Sequence, residues 1–408
     1  MRVLQINTVY KEKSTGRTCF EVEKALLEQG HECITAYGIG NHKGDHAYRI
    51  DNHIEYFVHN FLSRLTGLEG YFSYFATKRL IRFIKKYSPD IIHLRNLHGH
   101  YLNLPLLFNY LSTLNIPIIQ NLHDHWAFTG KCPYYTAPNC QKWQNECGAC
   151  PLIKSYPVSW FFDRTKKMLR DKKKMYAKVK NLTVIGVSEW TRDEAKKSFL
   201  ASVSSDIRTI YNWIDVETFK PHDINKRDVL KRYNIPDDKF IILGVSANWN
   251  PSSPRFIDFM ELAKKLRKDE IIVLVGSSKT VISLNGVYHI PFTKNVIELA
   301  FLYNCADVYV HCSSEDTFGK VIAEAQSCGT PALTYDITGC REIVKNGESG
   351  YLINPRDINE IRIKIDEIKK NGKGYYSSCA INNVKNRFLY ETNVKKLIDL
   401  YNEKINYR

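Results

Sequence analysis

Two carboxylates in the C-terminal half stand where they could engage a ligand rich in hydroxyl groups. Asp316 and Glu324 bracket Thr317-Phe318-Gly319-Lys320, and the apolar run Val308–His311 precedes them. That run reads as a strand and the residues after Gly319 as a helix, which puts Asp316 in the joining loop and Glu324 one to two turns inside the helix. Gly319 permits tight backbone geometry at the helix start, where backbone N–H groups can hold a phosphate or sugar oxygen. Ionised carboxylates only accept hydrogen bonds, which suits a sugar and a ribose. The same spacing also fits Asp316 as a helix cap and Glu324 as a solvated helix residue.

A second constellation is made of thiols. Four of the eleven cysteines, Cys132, Cys140, Cys147 and Cys150, fall in a short polar segment with Pro and Gly, and the last two form a C-x-x-C pair. Four thiolates meet the ligand count of a closed tetrahedral zinc site, although the spacing is not a common finger pattern. Free thiols packed in a loop, or an iron–sulfur cluster, fit the same residues. Cys305 and Cys328 lie in helical or strand patterns and read as core. His93, His98 and His100 surround the end of a strand and read as polar lining, and His123, Asp124 and His125 follow another strand. Near the N-terminus, Gly16 falls between a strand and a helical pattern, where it is either a plain turn residue or a point of close backbone approach to an anion. Neither a G-x-G-x-x-G fingerprint nor a Walker sequence is present, which argues against a nicotinamide enzyme and a P-loop ATPase.

These residues need a scaffold, and the apolar pattern supplies one. Short β-branched runs at Val3–Asn7, Glu32–Tyr37, Ile91–Leu94, Ile116–Leu122, Leu182–Val187 and Ile207–Tyr211 alternate with helical stretches. A second series follows at Phe240–Ser246, Ile271–Gly276, Gly286–Ile290, Val308–His311 and Pro331–Thr334. Near-continuous apolar strands separated by helices predict parallel sheets covered on both faces. The fold class is α/β, with two doubly wound, Rossmann-like domains facing across a cleft. The expected boundaries are residues 1–212, with the Cys-rich insertion near 130–151, then 213–385, and a C-terminal helix at 386–408 packing back on the first domain.

At 408 residues, 44% hydrophobic and 25% charged, the composition is that of a globular protein. No stretch approaches the ~18 apolar residues of a spanning helix. The first residues read as a buried strand without a signal peptide, so the chain is expected to be cytoplasmic. A formal net charge of +15 asks for an anionic partner. Nine Lys and Arg residues lie between Arg164 and Lys180, just after Trp160-Phe161-Phe162 and interrupted by Met168, Leu169, Met175 and Tyr176. This stretch, 160–180, reads either as a peripheral anchor on an anionic membrane or as the solvated face of an ordinary helix.

Longer motifs give a resemblance. The segment Ser313 to Ala325 is similar to the signature of the retaining glycosyltransferases of family 4, a Glu, then Phe-Gly, then a second Glu eight positions after the first. The agreement continues through Tyr303–Val310, Ala325–Ala332, Gly339–Val344 and Gly347–Leu352. Ser14-Thr15-Gly16-Arg17, Asn96-Leu97-His98-Gly99 and Leu122-His123-Asp124-His125-Trp126 resemble a branch that builds bacterial surface polysaccharides such as capsule or lipopolysaccharide. The resemblance spans Val3 to about Phe388 and implies the GT-B fold, a nucleotide-sugar donor (UDP- or GDP-sugar) and a lipid-linked oligosaccharide acceptor on polyprenyl diphosphate. It implies that Glu324 holds ribose hydroxyls, that Asp316 and the amides of Phe318, Gly319 and Lys320 hold the transferred sugar, and that His123 lies at the reacting centre. Gly16 would approach the donor phosphates, and no catalytic metal is expected.

Two departures from the family stand out. Asp316 occupies the usual Glu position, with Glu315 beside it. The loop Asn248–Arg255 carries Pro254-Arg255 where the family has Lys-Gly for the diphosphate. Arg255 can substitute, because a guanidinium binds phosphate well; otherwise the chain is a degenerate relative acting as a scaffold. A zinc-containing nucleic-acid-binding protein is the remaining alternative, but no nucleic-acid module is recognisable and no nucleic-acid partner is expected.

Overall fold

The computed structural model describes residues 1–42, 44–282 and 284–406, and the chain divides into two compact units. The first comprises Met1–Ile210 and the segment from Val394 onward, and the second is Tyr211–Asn393.

In the first unit the strands are β1 (Arg2–Val9), β2 (Glu32–Ile39), β3 (Ala47–Arg49), β4 (Ile91–Leu94), β5 (Ile118–Leu122), β6 (Leu182–Gly186) and β7 (Asp206–Thr209). They form one sheet in the order β3-β2-β1-β4-β5-β6-β7, every neighbouring pair parallel. β4, β5 and β6 are buried at every residue, which is why apolar residues run together in them and do not alternate, with His93, Gln120, Asn121 and Thr183 as buried polar exceptions. The helix Tyr390–Asn406 contributes Tyr401, whose hydroxyl lies 2.5 Å from His93 Nδ1, and Glu403, which accepts from Arg208 at 2.8 and 3.0 Å.

The second unit contains β8 (Phe240–Asn248), β9 (Glu270–Ser277), β10 (Val287–Ile290), β11 (Val308–His311), β12 (Ala332–Tyr335) and β13 (Gly350–Ile353). The order is β10-β9-β8-β11-β12-β13, again all parallel. Two strands were not expected. β3 is three half-buried residues, too short to show a period, and β13 opens on a glycine, which reads as a turn.

Both strand orders reverse once, between β1 and β4 in one sheet and between β8 and β11 in the other. In open parallel sheets a ligand binds beyond the carboxyl ends of the strands at such a reversal. The loops that leave β1, β4, β8 and β11 are therefore where side chains for chemistry are to be sought.

Candidate active site

In the second unit the reversal joins the two features singled out in the sequence. β8 ends at Asn248, and Ser253 caps the next helix, Pro254–Ala263, by accepting from Phe256 N. Arg255 thus sits in the first helical turn. Its Nη1 donates to Ser246 Oγ at 2.6 Å and its Nη2 lies 3.6 Å from Asp316 Oδ2, while its Nε is buried without a partner. From the other side β11 ends on His311, whose Nε2 is 2.6 Å from Asp316 Oδ2. The Tyr309 hydroxyl lies 3.0 Å from His311 Nδ1. Those partners fix the tautomer: Nδ1 accepts from Tyr309, and Nε2–H donates to the carboxylate.

Burial alone would raise Asp316, but the His311 hydrogen bond and the Arg255 guanidinium outweigh it and hold the carboxyl well below the usual range. Burial, opposed by Asp316, lowers His311. Asp316 keeps 36% of its side chain exposed, so an ionised carboxylate is oriented yet open to a ligand. His311 escaped the sequence reading because a histidine at a strand end resembles core.

The helix Lys320–Ser327 follows directly. Gly319 adopts φ +89°, and a Cβ there would come 2.8 Å from Ile322 Cδ1 and 3.1 Å from Cys340 Sγ. Phe318 packs its ring against Tyr211 and Phe388, so only its backbone remains for a ligand. Lys320 is half-buried at the helix start. Glu324 is buried, and its Oε2 accepts from the Tyr303 hydroxyl at 3.4 Å.

In the first unit β4 delivers Arg95 and β5 delivers His123. Arg95 is 2% exposed and donates to Gln5 Oε1 at 3.1 Å and Thr18 Oγ1 at 3.3 Å, and its Nη1 lies 3.1 Å from His123 Nε2. A guanidinium only donates, so Nε2 of His123 accepts and the ring proton sits on Nδ1. Arg95 was passed over in the sequence, because the partners that give it meaning, Gln5 and His123, are distant in the chain. Gly16 lies inside the first turn of the helix Lys13–Glu28 and not in a loop, and a Cβ would meet the Tyr10–Lys11 backbone at 3.1–3.2 Å. Its smallness serves the close approach of that helix to the loop leaving β1.

The expected histidine lining assembles only in part: His98 lines a small pocket with Arg95, His123 and Asp124, which His93 and His100 do not join. His93 is fully buried against Tyr401, and His98 pairs with Asp124 at 2.8 Å and Tyr156 at 2.9 Å. His100 pairs with Glu69, which also accepts from Gly99 N and His100 N at 2.9 Å. His125 is enclosed by Phe128, Tyr135 and Trp190, and burial lowers it to about 4.

Among the described residues, two groups place three potential ligand atoms within 4.8 Å of one another, His59–Glu69–His100 and His311–Asp316–Cys340. Neither is open to a metal as it stands. His59 Nε2 already accepts from Gly70 N, and both nitrogens of His311 are engaged. Cys132, Cys140, Cys147 and Cys150 share one neighbourhood, in which burial is the main cause raising Cys132 to about 12 and Cys147 to about 11. The donor set fits zinc in number and chemistry. No three of these sulfurs lie within 4.8 Å of one another, so binding a tetrahedral metal would draw them together.

The basic stretch also differs from expectation. Its helix, Thr165–Tyr176, buries Met168, Leu169, Met175, Tyr176 and even Lys172, so its apolar stripe belongs to the core, as in an ordinary helix with a solvated charged face. Trp160, Phe161 and Phe162, just before it, are exposed.

Two parallel-sheet Rossmann-like domains, with chemistry at the reversal of each sheet, define the GT-B class of glycosyltransferases. The chain belongs to Glycosyltransferase Family 4, whose description matches residues 15–218, and "Glycosyl transferases group 1" matches residues 226–401. It is 22% identical to the Escherichia coli K12 protein named for colanic acid biosynthesis glycosyl transferase WcaC, across 88% of this chain and 89% of that one. It is 28% identical to the Escherichia coli UDP-Gal:alpha-D-GlcNAc-diphosphoundecaprenol alpha-1,3-galactosyltransferase, across 48% of this chain and 54% of that one. Among solved structures, Anabaena HepE in complex with UDP superposes with a TM-score of 0.67 at 14% identity, covering 99% of this chain and all of that one. Sucrose-phosphate synthase from Thermosynechococcus elongatus gives 0.68 at 17% identity, with both chains fully covered. No helix among the described residues is long and apolar enough to cross a membrane.

Proposed function

We propose that this glycosyltransferase moves a sugar from a nucleoside-diphosphate sugar to a polyprenyl-diphosphate-linked saccharide, with retention of configuration, in bacterial surface polysaccharide synthesis. The observation that carries the reading is the Arg255–Asp316–His311 array at the β8/β11 reversal. There one cation and one oriented carboxylate converge beside a helix N-terminus. Arg255, with its unpartnered Nε, takes the diphosphate together with Lys320. Asp316 and the backbone N–H groups of Phe318–Lys320 orient the sugar, and Glu324, steadied by Tyr303, accepts from the ribose hydroxyls. In the first unit His123, oriented by Arg95, is assigned to the reacting sugar, and Gly16, which lets its helix approach the loop after β1, to the donor phosphates.

No metal is assigned to the reaction. Positioning and charge stabilisation of the departing diphosphate supply the rate enhancement. The names of two relatives, one for colanic acid biosynthesis and one for a diphosphoundecaprenol acceptor, support the acceptor class. Work on such an acceptor places the enzyme at the inner face of the plasma membrane. The four cysteines enter the proposal as a structural zinc staple of the 130–151 segment.

Calorimetric titration with UDP and GDP tests the donor half. One nucleotide binds, and Glu324→Ala weakens it by about tenfold or more, the loss of a charged hydrogen-bond acceptor. Absence of binding to either nucleotide would refute the donor assignment. The anomeric configuration of the product, read by NMR, tests retention.

A further inference from the structure

The helix His53–Thr66 is amphipathic in the wrong sense for a solvated helix. Its inward residues are polar: His59 Nδ1 lies 2.7 Å from Ser73 Oγ, and Ser63 Oγ donates to Glu69 Oε2 at 2.9 Å. Its outward stripe is apolar at i, i+3, i+4 and i+7, with Ile54 76% exposed, Phe57 64%, Val58 51% and Phe61 54%. The stripe does not end with the helix. Phe61 meets the ring of Trp160 at 5.8 Å, and Trp160 leads to Phe161, 70% exposed, and Phe162, 49% exposed. Trp160 N is hydrogen-bonded to Arg64 O at 2.8 Å, which locks loop and helix into one surface. Contiguous exposed aromatics on this scale mark an interaction surface.

The charges around it choose the partner. The Arg64 guanidinium lies 6.0 Å from the Trp160 ring and that of Arg164 5.3 Å from the Phe162 ring, while Lys154 Nζ donates to Trp160 O at 2.6 Å. The carboxylates carried by the helix and by the loop after Phe162 are already engaged. Glu55 pairs with Arg79 and accepts from Asn52 at 3.0 Å, and Asp163 accepts from Cys150 N at 2.7 Å and Thr165 N at 2.9 Å. Aromatic and aliphatic side chains on a helix lying flat, with cations at the edge, suit the interface of an anionic bilayer.

We propose that the outer face of His53–Thr66, continued by Trp160–Phe162, is the surface by which this protein docks on anionic lipid. The surface gives the membrane location of the proposed lipid-linked acceptor a physical basis and rests on that reading for its purpose, not for its test. The full chain is sedimented with phosphatidylcholine vesicles with and without phosphatidylglycerol, none containing acceptor. The wild type is expected to co-sediment with the anionic vesicles, less so at high salt. A Phe57→Ser/Phe61→Ser/Phe161→Ser variant loses about tenfold or more in partitioning, while circular dichroism and nucleotide binding are unchanged. Failure of the wild type to bind anionic vesicles overturns the proposal. So does equal binding by the variant, or a variant that dissociates a dimer with vesicle binding intact. If the vesicle result holds but no nucleotide binds, the surface stands and the donor assignment falls.

Discussion

The acidic loop after β11 and the cysteine-rich, basic segment of residues 130–180 were both conspicuous in the sequence, and the structure treats them differently. At β11 the side chains meet where they fall. Asp316 is five residues from His311, and both are fixed by the end of one rigid strand beside Arg255. In the 130–180 segment the apolar residues of the basic helix turn inward. Lys172, one of the nine basic residues from Arg164 to Lys180, is buried with its ammonium donating to Trp126 O and Thr129 O, and the helix's apolar stripe is core. A short motif on a strand end carries its own geometry, whereas an amphipathic helix does not say which of its faces is turned inward.

The most severe way to break this comparison is Asp316→Asn. If the oriented charge does the work, turnover falls about 10²- to 10³-fold while nucleotide affinity changes little, because a charge aimed at the reacting sugar is felt mainly in the transition state. Wild-type turnover in the variant would put Asp316 on a level with the solvated charges of the basic segment.

The cysteines allow the comparison to be sharpened from the other side. We expect about one zinc per chain on metal analysis, abolished in Cys147→Ser/Cys150→Ser, with melting lowered by several degrees, because a structural metal contributes folding energy directly. A metal-free wild type would leave the segment held by burial alone, with Trp143, Tyr135 and Phe128 as its packing centre.

How far the fold was legible follows from the same contrast. The parallel sheets could be read because β4, β5, β6, β11 and β12 are buried on both faces and are therefore mostly apolar. The three half-buried residues of β3 carry no such mark. Asp316, Glu324 and Gly319 were visible through spacing along one strand–loop–helix unit. Arg95 was not, because its meaning comes from Gln5 and His123, 90 and 28 residues away in the chain. The His53–Thr66 helix went unremarked because its period is ordinary, and only its orientation is unusual.

The smallest predicted effect isolates the feature that distinguishes the β11 site, its buried histidine. His311 donates to Asp316, and that bond, together with the Arg255 charge, outweighs burial in keeping the carboxyl below its ordinary value of 3.8. A depressed carboxyl contributes stability and a charged site above that ordinary value, and both are lost as pH falls through the folded-state value. His311→Asn removes the stronger of the two partners and leaves Arg255 at 3.6 Å. The acid limb of the turnover profile should therefore move to higher pH, toward the ordinary carboxylate range, with only a modest loss at neutral pH, where Asp316 stays ionised in both proteins. An unmoved acid limb would mean that His311 merely fills the core, and Asp316 would then owe its charge to solvent, as the exposed lysines of the basic segment do.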